Sequence, residues 1–457
     1  MKIRPARRLA GHLPGLPGDK SVSHRAALVA ALARGRSVIE NYSTSEDCAA
    51  TLRCLAQLGA RIERTANTVV VEGVGAGEGD DRAGDGAPLL HEPSSALDCG
   101  NSGTTMRLLA GVLAAHPFAS TLTGDASLRT RPMRRIIAPL ELMGARVRSV
   151  DGRAPLHIEG RRPLAAVRYE LPVASAQVKS CVLLAGLCAQ GRTTVVETEA
   201  RTRDHTERVL RHFGVPLEIR EDAASRREIS VEGLRGSFAA RDFKVPGDIS
   251  SAAFLFAAAM LLPGSDLRVE GVGLNPTRTA YLERLRALGG LRLENVREEC
   301  AETVGDVRVR GVAGRRGGKD DEGQAERASF VVRGAEVAEL IDELPLLAVV
   351  GSQLACGAEI RGAGELRVKE SDRISATVEN LRAMGAEVTE YEDGLRVVGG
   401  ARLRGARLDA RGDHRIAMAF SVAALVAEGE TEIIDAEECV GVSFPEFFKL
   451  LDALVER

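Results

Sequence analysis

The amino-acid sequence predicts an α/β protein of two domains, built from six repeated α/β units with buried helices. Three observations support this prediction: a chain of 457 residues, six helices that are apolar on all sides, and five copies of a helix–glycine–strand pattern. A chain of this length exceeds the size at which a single hydrophobic core usually stops growing, so two domains are expected.

Six short polar segments each run directly into a stretch rich in Ala, Leu, Val and Met. The six apolar stretches are Arg25–Ala33, Met106–Ala115, Ser180–Ala189, Ala252–Leu262, Leu344–Ala355 and Ile416–Ala427. A helix that is apolar on every side has to be buried on every side. Its N-terminus still carries unpaired N–H groups and about half a positive charge, so the polar segments could together bind small anions.

The second repeat is a glycine that ends an amphipathic helix and is followed by alternating residues typical of a strand. Its copies contain Gly59, Gly144, Gly214, Gly289 and Gly385. Glycine favours the left-handed conformation that closes many helices. Because both patterns recur at a similar spacing, the sequence predicts six units, three in each domain, and a closing helix at Pro445–Leu454.

The predicted N-terminal three-unit domain covers residues 12–243. The C-terminal three-unit domain covers residues 1–11 and 244–457. Two insertions, 73–88 and 313–327, are rich in glycine and charged residues and are predicted to be mobile surface loops.

Composition excludes several classes of function. The net charge of −3, the aromatic content of 3% and the absence of Trp argue against a nucleic-acid-binding protein. The eight cysteines are scattered without a C-x-x-C pair, so no metal site is predicted, and the several that lie in apolar helical runs are predicted to be buried free thiols. Because no signal sequence or bilayer-length apolar run is present, we expect a cytoplasmic protein without a membrane anchor.

The segment Pro17–Arg25 resembles a phosphate-binding P-loop only superficially, because Asp19 separates Gly18 from Lys20. What remains is Lys20, Ser21 and Arg25 at the start of a helix, where they suit a phosphate or a carboxylate. The alternative is a solvated basic helix start.

Two further segments favour anion binding. Cys99–Arg107 contains glycines where backbone amides can approach a ligand closely, although an ordinary capped turn is the alternative. Gly124–Met133 places Arg129 and Arg131 just before a helix that begins with proline.

Carboxylates accompany cations in the C-terminal half. Lys369 and Arg373 are predicted to lie on one helix face with Glu370 between them, which suits an anionic ligand beside a general acid; a surface salt-bridge ladder is the alternative. Asp248 and Asp413 are predicted to cap helices. Asp342, which precedes an apolar helix, is a candidate general base.

Taken together, these segments resemble the 5-enolpyruvylshikimate-3-phosphate synthase family of enolpyruvyl transferases. The similarity extends from about Leu13 to Phe447. Seven motifs occur in the family's order: PGDKSVSHR at 17–25, CGNSGTTMR at 99–107, GDASLRTRPM at 124–133, ASAQVKS at 174–180, TRDHTE at 202–207, LRVKESDR at 366–373 and DHRIAM at 413–418.

The resemblance implies transfer of the enolpyruvyl group of phosphoenolpyruvate to the 5-hydroxyl of shikimate 3-phosphate, with release of phosphate. It also implies two domains of the inside-out α/β barrel type, with the active site in the cleft between them. Neither a metal nor an organic cofactor is expected, and we expect a monomer.

The resemblance also assigns residues by position. Shikimate 3-phosphate contacts are implied for Lys20, Ser21, Arg25, Ser175, Ala176, Gln177, Arg203, Asp342 and Lys369. Phosphoenolpyruvate contacts are implied for Lys20, Asn101, Gly103, Arg131, Gln177, Arg373 and Arg415. Asp342 would be the base, and either Glu370 or Lys20 would protonate C3.

One position departs from the family pattern. Val442 stands where some members carry a lysine that contacts phosphate, so one cationic contact is missing or supplied elsewhere. Gly103 is retained and leaves room for glyphosate, which competes with phosphoenolpyruvate in sensitive members. We therefore expect inhibition by glyphosate.

Two alternatives belong to different classes. A UDP-N-acetylglucosamine enolpyruvyl transferase shares the fold and the donor, but it typically needs a loop cysteine, and no cysteine lies between Cys99 and Cys181. A non-catalytic anion-binding or nucleic-acid-binding protein on the same scaffold is disfavoured by the net charge and by the presence of both Asp342 and Glu370.

Overall fold

The computed structural model describes residues 1–75, 90–198, 200–222, 226–312 and 330–457. The insertion predicted at 313–327 lies outside these ranges, and so does all of the insertion predicted at 73–88 except its first three residues.

The chain folds as two compact units, each with its own hydrophobic core. The N-terminal unit comprises Pro17–Pro246 together with Glu299–Glu302. The C-terminal unit comprises Met1–Leu16, Gly247–Glu298 and Thr303–Arg457.

The unit boundaries lie after residues 16 and 246 instead of the predicted 11 and 243, because each predicted division would interrupt a strand. A division after residue 11 would cut the strand Arg8–Leu13, which pairs with Asp266–Gly273 of the C-terminal unit. A division after residue 243 would cut the strand Phe243–Lys244, which pairs with Arg34–Glu40 of the N-terminal unit.

The helices of the described residues are numbered in chain order. They are α1 (Lys20–Leu32), α2 (Glu46–Gln57), α3 (Gly103–Ala114), α4 (Ala126–Thr130), α5 (Arg134–Leu142), α6 (Ala176–Gly186), α7 (His205–His212), α8 (Ile249–Leu261), α9 (Ala280–Ala287), α10 (Glu336–Leu340), α11 (Leu344–Gln353), α12 (Arg373–Ala383), α13 (His414–Val426), α14 (Ala436–Ser443) and α15 (Phe447–Leu454). A short 3-10 helix spans Gly364–Val368.

The strands are numbered in the same way. They are β1 (Lys2–Ile3), β2 (Arg8–Leu13), β3 (Arg34–Glu40), β4 (Arg61–Thr65), β5 (Thr68–Val74), β6 (Leu97–Asp98), β7 (Ala119–Thr123), β8 (Arg146–Val150), β9 (Arg153–Glu159), β10 (Leu164–Ala165), β11 (Arg168–Glu170), β12 (Ala189–Gln190), β13 (Arg192–Glu197), β14 (Leu217–Glu221), β15 (Arg227–Glu232), β16 (Phe243–Lys244), β17 (Asp266–Gly273), β18 (Leu291–Glu299), β19 (Glu302–Arg310), β20 (Phe330–Val332), β21 (Ala358–Ile360), β22 (Val388–Tyr391), β23 (Gly394–Val397), β24 (Arg407–Asp409), β25 (Thr431–Ile434) and β26 (Val455–Glu456).

Four four-stranded sheets share one topology, in which the first pair of strands is parallel and the next two pairs are antiparallel. The N-terminal unit has three of them, β16-β3-β5-β4, β6-β7-β9-β8 and β11-β13-β15-β14, and also the small pair β10-β12. The C-terminal unit has β20-β21-β23-β22, the five-stranded sheet β18-β19-β17-β2-β26 and the three-stranded sheet β1-β25-β24.

The six apolar stretches all form buried helices, as predicted. In the N-terminal unit these are α1, α3 and α6, and in the C-terminal unit α8, α11 and α13; every residue of α8 except Leu261 is buried. Helices α3 and α6 pack so closely that a Cβ added to Gly111 would lie 2.2 Å from the carbonyl oxygen of Cys181.

Five of these helices begin earlier than predicted because the polar segment itself supplies the first turn and its cap. The capping side chains, each of which accepts a hydrogen bond from a backbone N–H of the first turn, are Asp19, Ser102, Ser175, Asp248 and Asp413. The predicted caps at Asp248 and Asp413 are thereby confirmed. Helix α11 has no side-chain cap and starts instead with a proline in its first turn.

The five helix-closing glycines are also confirmed. Each follows an amphipathic helix, has a positive φ and precedes a strand: Gly59, Gly144, Gly214, Gly289 and Gly385. The closing helix begins at Phe447 instead of Pro445.

In the part of the chain that the structure describes, no helix is both long enough and apolar enough to cross a membrane.

Candidate active site

The predicted site residues fall into two groups, one in each unit. The N-cluster consists of Lys20, Ser21, Arg25, Asn101, Gly103, Arg131, Ser175, Ala176, Gln177 and Arg203. The C-cluster consists of Asp342, Lys369, Glu370, Arg373 and Arg415. We describe each cluster within its own unit.

The start of α1 presents the first residues of the N-cluster. Asp19 caps the helix by accepting a hydrogen bond from the N–H of Val22 at 3.0 Å, and Lys20 is the first helical residue. The Lys20 ammonium lies 3.4 Å from a carboxylate oxygen of Asp47. Arg25 lies one turn further along and is 4% exposed.

Among the described residues, the Arg25 guanidinium donates to neutral oxygen atoms only. Its acceptors are the hydroxyl of Thr206 at 2.7 Å, the carbonyl of Ser21 at 2.8 Å and the hydroxyl of Ser180 at 2.9 Å. The pKa of Arg25 is lowered to about 10, mainly by burial and to a smaller extent by the charge of Arg203, whereas Glu207 opposes the shift. A buried cation held by neutral groups is well suited to an anionic ligand.

The start of α3 brings several predicted residues together. The Asn101 amide oxygen accepts a hydrogen bond from Arg131 at 2.5 Å. Gln177 accepts one from Arg107 at 2.7 Å and donates to the Thr104 hydroxyl at 2.9 Å.

Gly103 is the first residue of α3 and lies directly against both guanidinium groups. A Cβ added there would be 2.7 Å from Arg107 Nη1 and 3.4 Å from Arg131 Nη1. A larger residue at this position would therefore have to displace the Arg107 side chain.

The start of α6 carries Ser175 and Ala176. Ser175 caps the helix through the N–H of Val178, and Ala176 is its first residue. Both residues are half-buried.

A chain of hydrogen bonds between uncharged side chains links the starts of α1 and α3 beside the N-cluster. His24 Nδ1 hydrogen-bonds the Thr51 hydroxyl at 2.6 Å, which in turn bonds the Thr105 hydroxyl at 2.7 Å. Thr105 donates to the Ser102 hydroxyl at 2.7 Å. Burial, with smaller contributions from the charges of Arg25 and Lys20, lowers the pKa of His24 to about 3, so this chain is neutral at physiological pH.

The C-cluster is organised around Arg373, which is 2% exposed. Its guanidinium donates to both carboxylate oxygens of Asp413, at 2.8 and 3.2 Å, and to Glu370 at 2.7 Å. Asp342 accepts from the same guanidinium at 3.5 Å. Burial lowers the pKa of Arg373, but the three carboxylates raise it by more, so the pKa lies above its usual value.

Arg415 holds the other side of Asp342. Its guanidinium lies 3.9 Å from the Asp342 carboxylate and 3.3 Å from the carboxylate of Glu343. Glu343 also accepts a hydrogen bond from the Ser250 hydroxyl at 2.5 Å, and Ser250 accepts one from the buried Arg278. The candidate base, which is half-buried, and two of the predicted cations, which are buried, are therefore held in one network.

The predicted arrangement of Lys369 and Arg373 on one helix face is wrong. Lys369 follows the 3-10 helix and pairs with Glu365 at 3.4 Å, whereas Arg373 is the first residue of α12. Asp372 caps α12, and this cap separates the two helices.

Sequence reasoning missed several members of both networks. Arg107, Thr206 and Glu343 contact predicted residues directly, and Arg278 donates to Ser250, which in turn donates to Glu343. Arg107 and Thr206 lie inside recognised motifs, and Glu343 directly follows Asp342, so a search for polar residues beside each motif residue would have found three of the four. Arg278 is distant in sequence from every motif.

Val442 lies in the last turn of α14 and is half-buried, so the structure places no cation at that position. Within the described ranges, no group of three or more His, Cys, Asp or Glu residues is arranged to hold a metal ion.

Comparisons with known proteins match the whole chain. The family model for EPSP synthase (3-phosphoshikimate 1-carboxyvinyltransferase) matches residues 3–451. A 3-phosphoshikimate 1-carboxyvinyltransferase of Koribacter versatilis is 48% identical over 100% of this chain and 99% of its own length. The enzyme of that name from Acidithiobacillus ferrooxidans is 48% identical over 97% of this chain and 95% of its own length.

Solved structures agree with the sequence relatives. The EPSP synthase of Acinetobacter baumannii superimposes with a TM-score of 0.80 at 39% identity and covers 99% of this chain and 98% of its own. The enolpyruvyl transferase NikO of Streptomyces tendae, at 19% identity and a TM-score of 0.75, covers 99% of this chain and 96% of its own and shares the mixed α/β fold. The chain therefore belongs to the EPSP synthase (3-phosphoshikimate 1-carboxyvinyltransferase) family.

Proposed function

We propose that this chain transfers the enolpyruvyl group of phosphoenolpyruvate to the 5-hydroxyl of shikimate 3-phosphate and releases inorganic phosphate. The observation that carries the proposal is the family match over residues 3–451, joined by relatives of that name at 48% identity. These matches favour the shikimate ester over UDP-N-acetylglucosamine as the acceptor.

The N-cluster is the proposed subsite for shikimate 3-phosphate. Arg25 supports this assignment most directly, because it is buried and donates only to neutral oxygens. Lys20 adds a second cation at the same helix N-terminus. The remaining proposed contacts in this unit are Ser21, Ser175, Ala176, Gln177 and Arg203.

The proposed phosphoenolpyruvate subsite draws on both clusters. In the N-terminal unit, Arg131 is held by Asn101, and Gln177 is held by Arg107, which lies against Gly103. In the C-terminal unit, Arg373 and Arg415 are the proposed cations, and Lys20 is proposed to contact both substrates. Fixed cations of this kind stabilise the phosphate and carboxylate charges without reorganisation during the reaction.

Asp342 is the proposed general base. It takes the proton of the 5-hydroxyl, which Lys369 helps to place, as the hydroxyl oxygen attacks C2 of phosphoenolpyruvate. Glu370 or Lys20 delivers a proton to C3, which forms a tetrahedral ketal phosphate with a methyl group. Loss of a proton from that methyl group and cleavage of the C–O bond to phosphate then give the enol ether and inorganic phosphate.

The buried network of the C-cluster supports these roles. Asp342 and Glu370 both accept hydrogen bonds from Arg373, so one guanidinium orients the proposed base and one of the two candidate acids. A base or acid held in one geometry transfers its proton more effectively than a mobile one.

The finer features of the fold belong to the same proposal. We infer an inside-out α/β barrel of three units in each domain, which is supported by the shared sheet topology and the two sets of three buried helices. We also propose that the two domains share one active site in the cleft between them, and that the protein acts as a cytoplasmic monomer. We propose further that the two domains close on the substrates, which identical solution scattering with and without both substrates would contradict.

The test is phosphate release by the purified protein. Phosphoenolpyruvate is supplied with shikimate 3-phosphate in one assay and with UDP-N-acetylglucosamine in the other. We expect release only with the shikimate ester, and glyphosate is expected to inhibit it competitively with phosphoenolpyruvate.

Variants connect this activity to the two clusters. We expect Asp342→Ala to lower kcat by about 10²- to 10⁴-fold, the usual contribution of a general base. Lys20→Ala should abolish measurable release. The exposed Asp452 and Lys244 provide matched controls, Asp452→Ala and Lys244→Ala, which should keep normal activity. Release with the nucleotide sugar instead would overturn the acceptor, and release with neither would favour a binding protein.

A further inference from the structure

The N-terminal unit contains a buried network of charged side chains that the mechanism above does not use. The ammonium of Lys179 in α6 lies 2.9 Å from a carboxylate oxygen of Glu197 and 2.7 Å from one of Glu207. The side chains of Lys179, Glu197 and Glu207 are 0%, 2% and 1% exposed. Burying charges in this way is costly, and an apolar pair of similar volume is often at least as stable.

The network lies directly beside the groups that hold Arg25. Lys179 is followed by Ser180, and Glu207 is preceded by Thr206. The hydroxyls of Ser180 and Thr206 accept hydrogen bonds from Arg25 and bond each other at 2.6 Å. The ion pair therefore joins α6 to α7 at the same level as the two hydroxyls.

The same network also holds the segment before α7. The Lys179 ammonium donates to the carbonyl of Thr202 at 3.4 Å, and Glu197 accepts a hydrogen bond from the N–H of Thr202 at 3.1 Å. Thr202 directly precedes Arg203, the second proposed phosphate ligand of this region. One ammonium thus restrains the elements that carry both cations.

Glu207 also acts on Arg25 through its charge. Burial lowers the pKa of Arg25 to about 10, and the Glu207 carboxylate is the strongest influence in the opposite direction. Glu207 therefore favours the charged form of a guanidinium that donates only to neutral oxygens.

We propose that Lys179 and Glu207 are positioning residues of the shikimate 3-phosphate subsite, because their ion pair sets the spacing of the Ser180 and Thr206 hydroxyls that orient Arg25. The proposal rests on the proposed function, in which Arg25 binds the 3-phosphate. A purely structural contact between α6 and α7 is the competing explanation.

The experiment compares three variants with the wild type. Glu207→Gln removes one charge at nearly constant volume. The triple variant Lys179→Met, Glu197→Gln, Glu207→Leu replaces the ion pair by apolar side chains without leaving Glu197 as a buried charge that has lost its lysine. Asp306→Asn is the matched control, because Asp306 is also a buried carboxylate paired with an arginine, Arg268, but lies in the C-terminal unit. For each protein we would measure KM for both substrates, binding of shikimate 3-phosphate alone by calorimetry, and the midpoint of urea unfolding.

The expected result separates affinity from stability. In Glu207→Gln, KM and Kd for shikimate 3-phosphate rise about tenfold, while KM for phosphoenolpyruvate changes by less than about twofold, since the change acts through Arg25. The triple variant regains urea resistance but keeps the weakened binding of shikimate 3-phosphate. Asp306→Asn loses urea resistance and keeps both KM values.

Two results would overturn the proposal. The first is unchanged affinity for shikimate 3-phosphate in whichever of the two Glu207 variants folds. The second is recovery of affinity together with stability in the triple variant, which would assign the pair a structural role. Failure of the proposed function is separate, because wild-type protein would then neither bind shikimate 3-phosphate nor release phosphate with it.

Discussion

The two clusters hold their arginines in opposite ways. In the N-cluster, Arg25 is buried against two hydroxyls and a carbonyl, and Arg131 donates to the amide of Asn101. In the C-cluster, Arg373 donates to three carboxylates and Arg415 pairs with two. Both clusters are cationic in sequence, but only in the C-cluster are carboxylates bonded directly to the buried arginine, whereas Arg25 of the N-cluster donates to neutral oxygens.

The difference indicates what each cluster needs from a ligand. A buried guanidinium with neutral partners has lost much of its hydration and gains most from an added anion. A guanidinium surrounded by carboxylates already has its counter-charges, so its main effect is to fix those carboxylates in place. We therefore interpret the N-cluster as the stronger anion receptor and the C-cluster as the place where proton-transferring groups are held.

The largest expected effect is a loss of stability, and it is tested by replacing each of the buried arginines Arg373 and Arg25. Arg373→Met leaves the fully buried Asp413 without its cation, so we expect the free energy of unfolding to fall by about 3–5 kcal/mol. Arg25→Met strands no carboxylate and removes a costly buried charge, so the expected loss is below about 2 kcal/mol. Urea unfolding followed by circular dichroism measures both values.

The control for this comparison is Arg36→Met at an exposed position of β3, which should change stability by less than about 0.5 kcal/mol. Equal losses in Arg25→Met and Arg373→Met would contradict the comparison. The neutral oxygens around Arg25 would then stabilise its charge as well as carboxylates do.

Local patterns in the sequence predicted the elements that depend on local physics. The apolar composition of α8 and α13 required burial, and Gly59 and Gly385 close their helices with positive φ, as expected of glycine in this position. The four-stranded sheets, by contrast, depend on which distant segments pair. The strand β16 pairs with β3 more than 200 positions away, and no local pattern contains that information.

The same distinction applies to the site. Site residues such as Asp342 and Arg373 were predicted, because polar segments of the sequence contain them and the resemblance assigned them roles by position. Their partners were not, since the contact of Glu343 with Ser250 joins residues 93 positions apart. The incorrect helix face of Lys369 and Arg373 has a local cause, because Asp372 is as good a helix cap as it is a member of a charged helix surface.

The second expected effect concerns the pH dependence of stability. It tests whether the hydrogen-bond chain from His24 to Ser102 in the N-terminal unit stays uncharged. The pKa of His24 is about 3 in the folded protein and about 6.5 in an unfolded chain. Below pH 6.5 the unfolded state therefore binds a proton that the folded state does not, and stability falls as the pH falls towards 3. Between pH 7 and pH 5 we expect a loss of about 2 kcal/mol from this residue, which His24→Gln should remove.

Urea unfolding of wild type and His24→Gln at pH 7 and pH 5 gives the change in the free energy of unfolding with pH for each protein. The difference between these two changes is the contribution of His24. His91→Gln is the control, since His91 is exposed and the variant should follow the wild type at both pH values. A wild type and a His24→Gln variant with the same pH dependence would show that the chain from His24 to Ser102 accepts a proton in the folded state. The hydrogen-bond chain beneath the N-cluster would then carry a charge, and it would no longer differ in this respect from the charged network of the C-cluster.

The smallest expected effect concerns the position of Arg107, which lies against Gly103 and donates a hydrogen bond to Gln177. In Gly103→Ala the new Cβ would lie 2.7 Å from Arg107 Nη1, so this flexible side chain has to move and its hydrogen bond to Gln177 weakens. We expect KM for phosphoenolpyruvate to rise about tenfold, which corresponds to about 1.4 kcal/mol. Glyphosate should lose at least as much affinity, and stability should change by less than about 1 kcal/mol.

The control variant is Gly441→Ala in α14, where no atom lies within 4 Å of the added Cβ. It should leave KM unchanged and gain up to about 1 kcal/mol of stability from the higher helix propensity of alanine. An unchanged KM for phosphoenolpyruvate in Gly103→Ala would mean that Arg107 can move without affecting the ligand. The hydrogen bond between Arg107 and Gln177 would then not help to position phosphoenolpyruvate, and Gln177 would be removed from the proposed subsite.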